Sequence, residues 1–157
     1  MGCDIHTYTE ALVNGKWIPI GAVGVDWIWD EKAEDEFPAL AIKSPYRDRN
    51  YSLFSVLAGV RGEGPAIIPP RGVPDDMNES IAAEYERWGC DAHTAHHYYL
   101  SELIENRHQF EREEDWGDGK KYKVGGGFLN TLDDLTELAK RYEIDPEDVR
   151  IVFWFDN

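Results

Sequence analysis

Alternation of apolar and polar positions is clearest at the two ends of the chain. Asp4-Ile5-His6-Thr7-Tyr8-Thr9-Glu10 alternates and is rich in strand formers, Ala11-Leu12-Val13 extends it, and Lys16-Trp17-Ile18-Pro19-Ile20 returns after Asn14-Gly15. Asn-Gly is the strongest two-residue hairpin signal, because a tight turn of the right twist needs positive φ at both central positions. A hairpin is therefore expected over residues 4–20. At the far end, Val149, Ile151, Phe153 and Phe155 recur at every second position and predict a strand from Val149 to Phe155. That strand is the natural neighbour of the first, with both near the sheet centre.

Helical spacing occupies the middle. Leu53, Phe54 and Leu57 share one side of a predicted helix over 52–60, and Ile81, Tyr85 and Trp88 one stripe of another over 79–88. Ser101 resembles an N-cap for a short helix over 102–106. Thr131, with Asp134 three residues on, resembles a capping box opening a helix to Tyr142. Gly and Pro dominate 62–76, which predicts an irregular loop, and Asp145 to Asp148 turns the chain. Residues 21–45 show no sustained period, and 107–128 is charged and glycine-rich; both read as loops or lids. Helices and strands interleave without regular strand–helix alternation. The expected class is therefore α+β: a single domain over 1–157 with a mainly antiparallel sheet and several short helices.

Composition narrows the function. Of 157 residues, 42% are apolar and 13% aromatic, enough to exclude wholesale disorder. Sixteen basic against thirty-one acidic side chains give a charge of −15, which opposes binding to nucleic acid and to anionic membranes. No apolar run approaches the ~18 residues of a spanning helix, and the start lacks the pattern of a signal peptide. Met1-Gly2 opens like a myristoylation signal, but His6 stands where Ser or Thr is needed. Cys3 and Cys90 are too few for a disulfide scaffold. A cytoplasmic location is expected.

One short echo carries chemistry. Gly2-Cys3-Asp4-Ile5-His6-Thr7 recurs as Gly89-Cys90-Asp91-Ala92-His93-Thr94, identical at five of six positions. On a strand, residues i and i+2 project from the same face, so each copy would set a carboxylate beside an imidazole and turn its Cys to the packed side. Three readings are open. His6 and His93, oriented by Asp4 and Asp91, would act as base and acid on a phosphoester or contact a small ligand. Asp4, His6, Asp91 and His93 together would suit a divalent metal, although no cofactor is favoured. Or the pairs fix local structure. If the stretch after His93 is helical, His93, His96 and His97 share a face; surface positions explain His96 and His97 equally well.

Charge asymmetry adds a second feature. Between Lys43 and Arg71 stand five basic residues (Lys43, Arg47, Arg49, Arg61, Arg71) against Asp48 and Glu63, an island of +3 in a remainder of −18. Guanidinium forks match phosphate geometry, so the island would admit a small anion that the rest of the surface repels. Alternatively, these arginines neutralise neighbouring acids. Asn50 and Tyr51 lie within the island, and Tyr51, Tyr46 and the tryptophans offer surfaces on which a base stacks. The loops at Gly62-Glu63-Gly64 and Pro69-Pro70-Arg71-Gly72 would bring backbone N–H groups to a phosphate, without the form of a P-loop.

M-G-C-D-I-H at the start, Arg49-Asn50-Tyr51 with Phe54, Ala58-Gly59-Val60-Arg61, Pro70-Arg71-Gly72 with Pro74, and Tyr85-Glu86-Arg87-Trp88-Gly89 running into Asp91-Ala92-His93 resemble a small-protein family of bacteriophages and bacteria. The family has no assigned activity. Its second segment resembles D-x-H-S-H-S-W-L. Here Ala95 holds the second histidine's place and His97 the tryptophan's, so Asp91 and His93 carry over and a three-histidine site does not. The phage connection implies counter-defence: capture or destruction of a nucleotide signal of bacterial immunity.

Three functions compete. The favoured one is a binding module that sequesters a small anionic, nucleotide-like molecule. Its phosphates would be held by Arg47, Arg49, Arg61 and Arg71, its ribose hydroxyls or an exocyclic amine by Asp4 and Asp91, its phosphate or ribose by His6 and His93, and its base by Tyr51, with Asn50 also in the ligand set. The pocket would be closed or shared within a homodimer or higher homo-oligomer. The alternative is a phosphodiesterase using the His/Asp pairs, with or without a metal. Third is an acidic inhibitor that mimics nucleic acid towards a protein partner.

Overall fold

A computed structural model describes residues 2–20 and 45–157. Of the loop or lid expected over 21–45, all but the last residue lies outside these.

The N-terminal hairpin forms as its turn dictates. Strands β1 (Asp4–Val13) and β2 (Lys16–Ile20) pair antiparallel, with Val13 opposite Lys16. Asn14 and Gly15 both take positive φ, at 51° and 77°. Next come helices α1 (Tyr51–Ala58) and α2 (Glu79–Trp88), then strand β3 (His93–Tyr99). Helices α3 (Leu100–Glu105) and α4 (Arg107–Glu111) lead into a small hairpin, β4 (Glu113–Asp115) and β5 (Lys121–Lys123). Helix α5 (Phe128–Arg141) and strand β6 (Val149–Asp156) complete the chain.

The main sheet runs β2-β1-β6-β3, every pair antiparallel, with the chain's first and last strands at its centre. This is the expected α+β architecture. On one face Ile5, Phe153 and Phe155 pack with Leu53 and Phe54 of α1, Leu103 of α3, Phe110 of α4 and Phe128 of α5. On the other, Tyr8, Val152 and Trp154 are covered by Ile81, Tyr85 and Trp88 of α2. Strand β6 is buried on both faces, which explains why its sequence is nearly continuous in apolar residues.

Arg150 breaks that run and is almost wholly buried. It sits opposite Glu10, to which its Nε donates at 2.7 Å, and its guanidinium lies 3.6 Å from the Trp17 ring centre. Burying two charges is tolerable only when they meet each other and further donors, and Asn78 N–H supplies one to Glu10 at 2.9 Å.

Three local expectations need correction. Helix α3 starts at Leu100 rather than after Ser101, because Glu102 reaches back to accept the N–H of Tyr99 at 2.9 Å. Helix α5 starts three residues before Thr131. The carbonyls of Gly125, Gly126 and Gly127 already accept the N–H groups of Phe128, Leu129 and Asn130, so Thr131 lies inside the helix. Segment 107–128 is no bare loop: it holds α4 and the β4–β5 hairpin. Phe110, Val124 and Phe128 anchor it in the core with no exposed surface.

Candidate functional site

His6 projects from β1 towards α2, its ring centre 4.1 Å from that of Trp88. Its carboxylate partner is not Asp4. Nε2 lies 3.1 Å from Oδ2 of Asp156, the last residue of β6, while Oδ1 of Asp156 accepts the backbone N–H of Asp4 at 3.2 Å. Asp4 turns instead to Arg49, whose Nε and Nη2 each donate to it at 2.8 Å. Arg49 lies across Gly2, where a Cβ would come within 2.5 Å of the guanidinium. Both members of this fork are about half exposed.

The second copy of D-x-H folds differently. Gly89–Asp91 forms a turn of 3₁₀ helix with Asp91 exposed, and β3 begins only at His93. Asp91 and His93 therefore do not share a strand face, and the expected pair is not formed. His93 stands opposite Phe155, which is in turn opposite Ile5, whereas His6 stands opposite Trp154. Directly paired residues point to the same side of a sheet, so His6 and His93 lie on opposite faces. His93 Nδ1 meets Thr94 Oγ1 at 3.0 Å, and its buried Nε2 has no partner among the described residues. The two imidazoles do not share one cavity. The alternative metal set Asp4, His6, Asp91 and His93 is likewise divided, and the described residues contain no group of three or more His, Cys, Asp or Glu able to hold an ion. Cys3 is buried as expected; Cys90 is exposed.

The basic island also splits. Lys43 lies outside the described residues, and Arg47 is exposed. Arg61 joins Arg49 at the sheet end. Its Nη2 donates to Oδ1 of Asn157 at 3.3 Å, its guanidinium lies 5.8 Å from the Tyr51 ring centre, and it reaches the Cys3 thiol. Burial pushes that thiol up from its ordinary value, and Arg61 only partly offsets this. Arg71 stands elsewhere, over β3, where its two Nη donate to both oxygens of Glu102 at 2.8 and 2.7 Å and one also reaches the carbonyl of His97. Burial raises the Glu102 carboxyl, but the Arg71 fork and the Tyr99 N–H outweigh it and leave it below the usual carboxylate range. Arg71 is thus committed to a protein partner. Asn50 proves to be the N-cap of α1: Oδ1 accepts Leu53 N–H at 3.0 Å and Nδ2 donates to the Val124 carbonyl at 2.9 Å. Tyr51 keeps 37% of its surface exposed, and its hydroxyl accepts the N–H of Cys3 at 3.2 Å.

His96 and His97 lie on a strand, so the helical spacing with His93 is not realised. His96 is fully buried, not a surface residue. Its Nδ1 accepts the N–H of His97 at 2.8 Å and its Nε2–H donates to the Ile68 carbonyl at 2.9 Å, which fixes the neutral tautomer. Burial is the main reason its pKa falls to about 4.

No family model matches this chain, and neither a curated protein nor a solved structure is significantly similar to it.

What the fold assembles is one mixed site at the end of the sheet, where β1 begins and β6 finishes: Asp4, His6, Arg49, Tyr51, Arg61, Asp156 and Asn157. Asp156 and Asn157 were not singled out in the sequence, and Trp88 was placed on the stripe of its helix without being linked to His6. Asp156 and Asn157 follow an apolar strand predicted to lie beside β1, and that adjacency was the available signal.

Proposed function

We propose that the chain binds a small phosphorylated, nucleotide-like molecule at this sheet end and holds it without turnover. The observation that carries the reading is the placing of Arg49 and Arg61 beside the exposed ring of Tyr51, with Asp4 and Asp156 close by. Guanidinium groups take phosphate oxygens bidentately, the phenol ring suits a base or sugar face, and the carboxylates and Asn157 suit hydroxyls and amino groups. The Arg49–Asp4 fork is exposed, so exchanging that carboxylate for a phosphate costs little. Given the resemblance to phage proteins, the class we favour is a nucleotide signal of bacterial immunity, captured as counter-defence.

Cleavage is the second reading, supported by the His6–Asp156 pair, in which a carboxylate orients an imidazole as in many general bases. Capture is better supported, because His93 lies on the other sheet face and no second imidazole attends His6. The test is to incubate the protein with cyclic dinucleotides and ADP-ribose isomers, remove unbound ligand, denature by heat and analyse what is released. Intact ligand supports capture and altered ligand supports the phosphodiesterase. Absence of uptake overturns both readings.

A further inference from the structure

A concavity lies away from the sheet end, between α1, the loop after it and the segment from α3 through α4 to Arg112. Its volume is about 350 Å³, within the range of small-molecule sites. Val56 and Ile67 give it apolar walls, and Ser55, Asn106 and Gln109 give it neutral polar ones. The walls are fixed in place. Ile67 N–H donates to the Val56 carbonyl at 2.9 Å, and Gly62 packs so closely on Ser55 that a Cβ there would overlap its side chain.

Among the described residues, Arg112 is the only charged one in the lining, in a chain that carries −15 overall. Arg49, Arg71, Arg87, Arg107 and Arg150 each hold a carboxylate; Arg112 holds none among the described residues. Its one bond is a long one from Nε to the Gln109 carbonyl at 3.4 Å, which leaves both Nη groups available. The backbone N–H groups of Gly64 and Ala66, also in the lining, have no acceptor among the described residues either. Two backbone donors without a protein acceptor and one guanidinium share this lining, which holds no acid among the described residues, and together they describe an anion site. A single positive charge balances a single negative one, and a planar fork matches a planar anion.

We propose that this cavity binds a small organic carboxylate, with Arg112 gripping the carboxylate and Val56 and Ile67 contacting its apolar part. The test uses the full chain labelled with ¹⁵N and titrated with acetate, benzoate and N-acetylglycine, sodium chloride holding ionic strength constant. Saturable shifts are expected at the Gly64 and Ala66 amides, strongest with benzoate or N-acetylglycine. Arg112→Gln should weaken them at least about tenfold. Arg112 is exposed, so this variant should fold, and its unfolding midpoint checks that it does. Arg61→Ala should leave the carboxylate shifts unchanged, which separates this site from the sheet end. Shifts that never saturate, that survive Arg112→Gln, or that inorganic phosphate produces at lower concentration than any carboxylate would overturn the proposal.

Discussion

Asp156 accepts a hydrogen bond from His6 across 150 positions of sequence, and with its other oxygen it accepts the backbone N–H of Asp4. One carboxylate thus ties the end of β6 to the start of β1 and orients the imidazole at the proposed ligand site. Asp156→Ala removes both bonds and should lower stability by about 1 kcal/mol. Asp156→Asn keeps an acceptor and should cost less. Urea unfolding of the two variants distinguishes them; equal losses would mean that the bonds to this side chain contribute nothing specific.

Arg49 and Arg71 both come from the basic island, but their partners differ in exposure and number. Arg49→Ala should weaken nucleotide binding about tenfold or more by removing a charge-assisted contact. Arg71→Ala should leave binding unchanged and instead lower stability, because it strands Glu102 and uncovers the His97 carbonyl. Calorimetric titration and thermal unfolding of both variants provide the comparison. Equal loss of binding in both would place the ligand elsewhere.

His96 makes the fold acid-sensitive in a defined window. The folded protein keeps the ring neutral down to about pH 4, against an ordinary value of 6.5 in the unfolded chain. Between those values the unfolded state binds more protons, so stability is full above 6.5 and falls as pH drops through the window, by up to about 3 kcal/mol. His97, lowered mainly by burial, adds in the same direction. Denaturation from pH 7 to 4 should show this slope. His96→Gln, whose amide can both accept and donate, should flatten it.

Glu10 and Arg150 form the buried ion pair across the central strands. Removing one member leaves an uncompensated buried charge, so Arg150→Met should cost about 3–5 kcal/mol. Adding Glu10→Gln to that variant should recover part of the loss. A double variant as unstable as the single one would show that packing on Trp17, not charge, dominates.

Treatment with EDTA should not lower the unfolding temperature through Asp4, His6, Asp91 and His93 acting as one metal set, because His6 and His93 lie on opposite sheet faces and Asp91 lies in the turn before β3. A fall restored by added zinc or manganese would contradict this.

Legibility in the sequence followed the range of the physics involved. The hairpin was readable because Asn14-Gly15 fixes its own turn. Strand β6 was readable because alternation and density of apolar residues are local, and α1 because Leu53, Phe54 and Leu57 recur at helical spacing before Gly59. The doubled D-x-H misled for a related reason. Two identical strings predict identical geometry only in identical surroundings, and the second one closes a 3₁₀ turn after α2 instead of running in a strand.

The chain by itself therefore determined its N-terminal hairpin, α1, α2, its class and the identity of its two central strands, since these follow from periodicity and turn chemistry within a few residues, whereas α4 and the β4–β5 hairpin did not show in it. Tertiary structure alone decided which charge meets which. Asp156 rather than Asp4 faces His6, Glu102 occupies Arg71, and Arg112, unremarkable in its acidic neighbourhood, lies in a cavity where no described residue supplies a carboxylate. Ion pairing depends on distance in space, and chain position says little about distance until the core has packed.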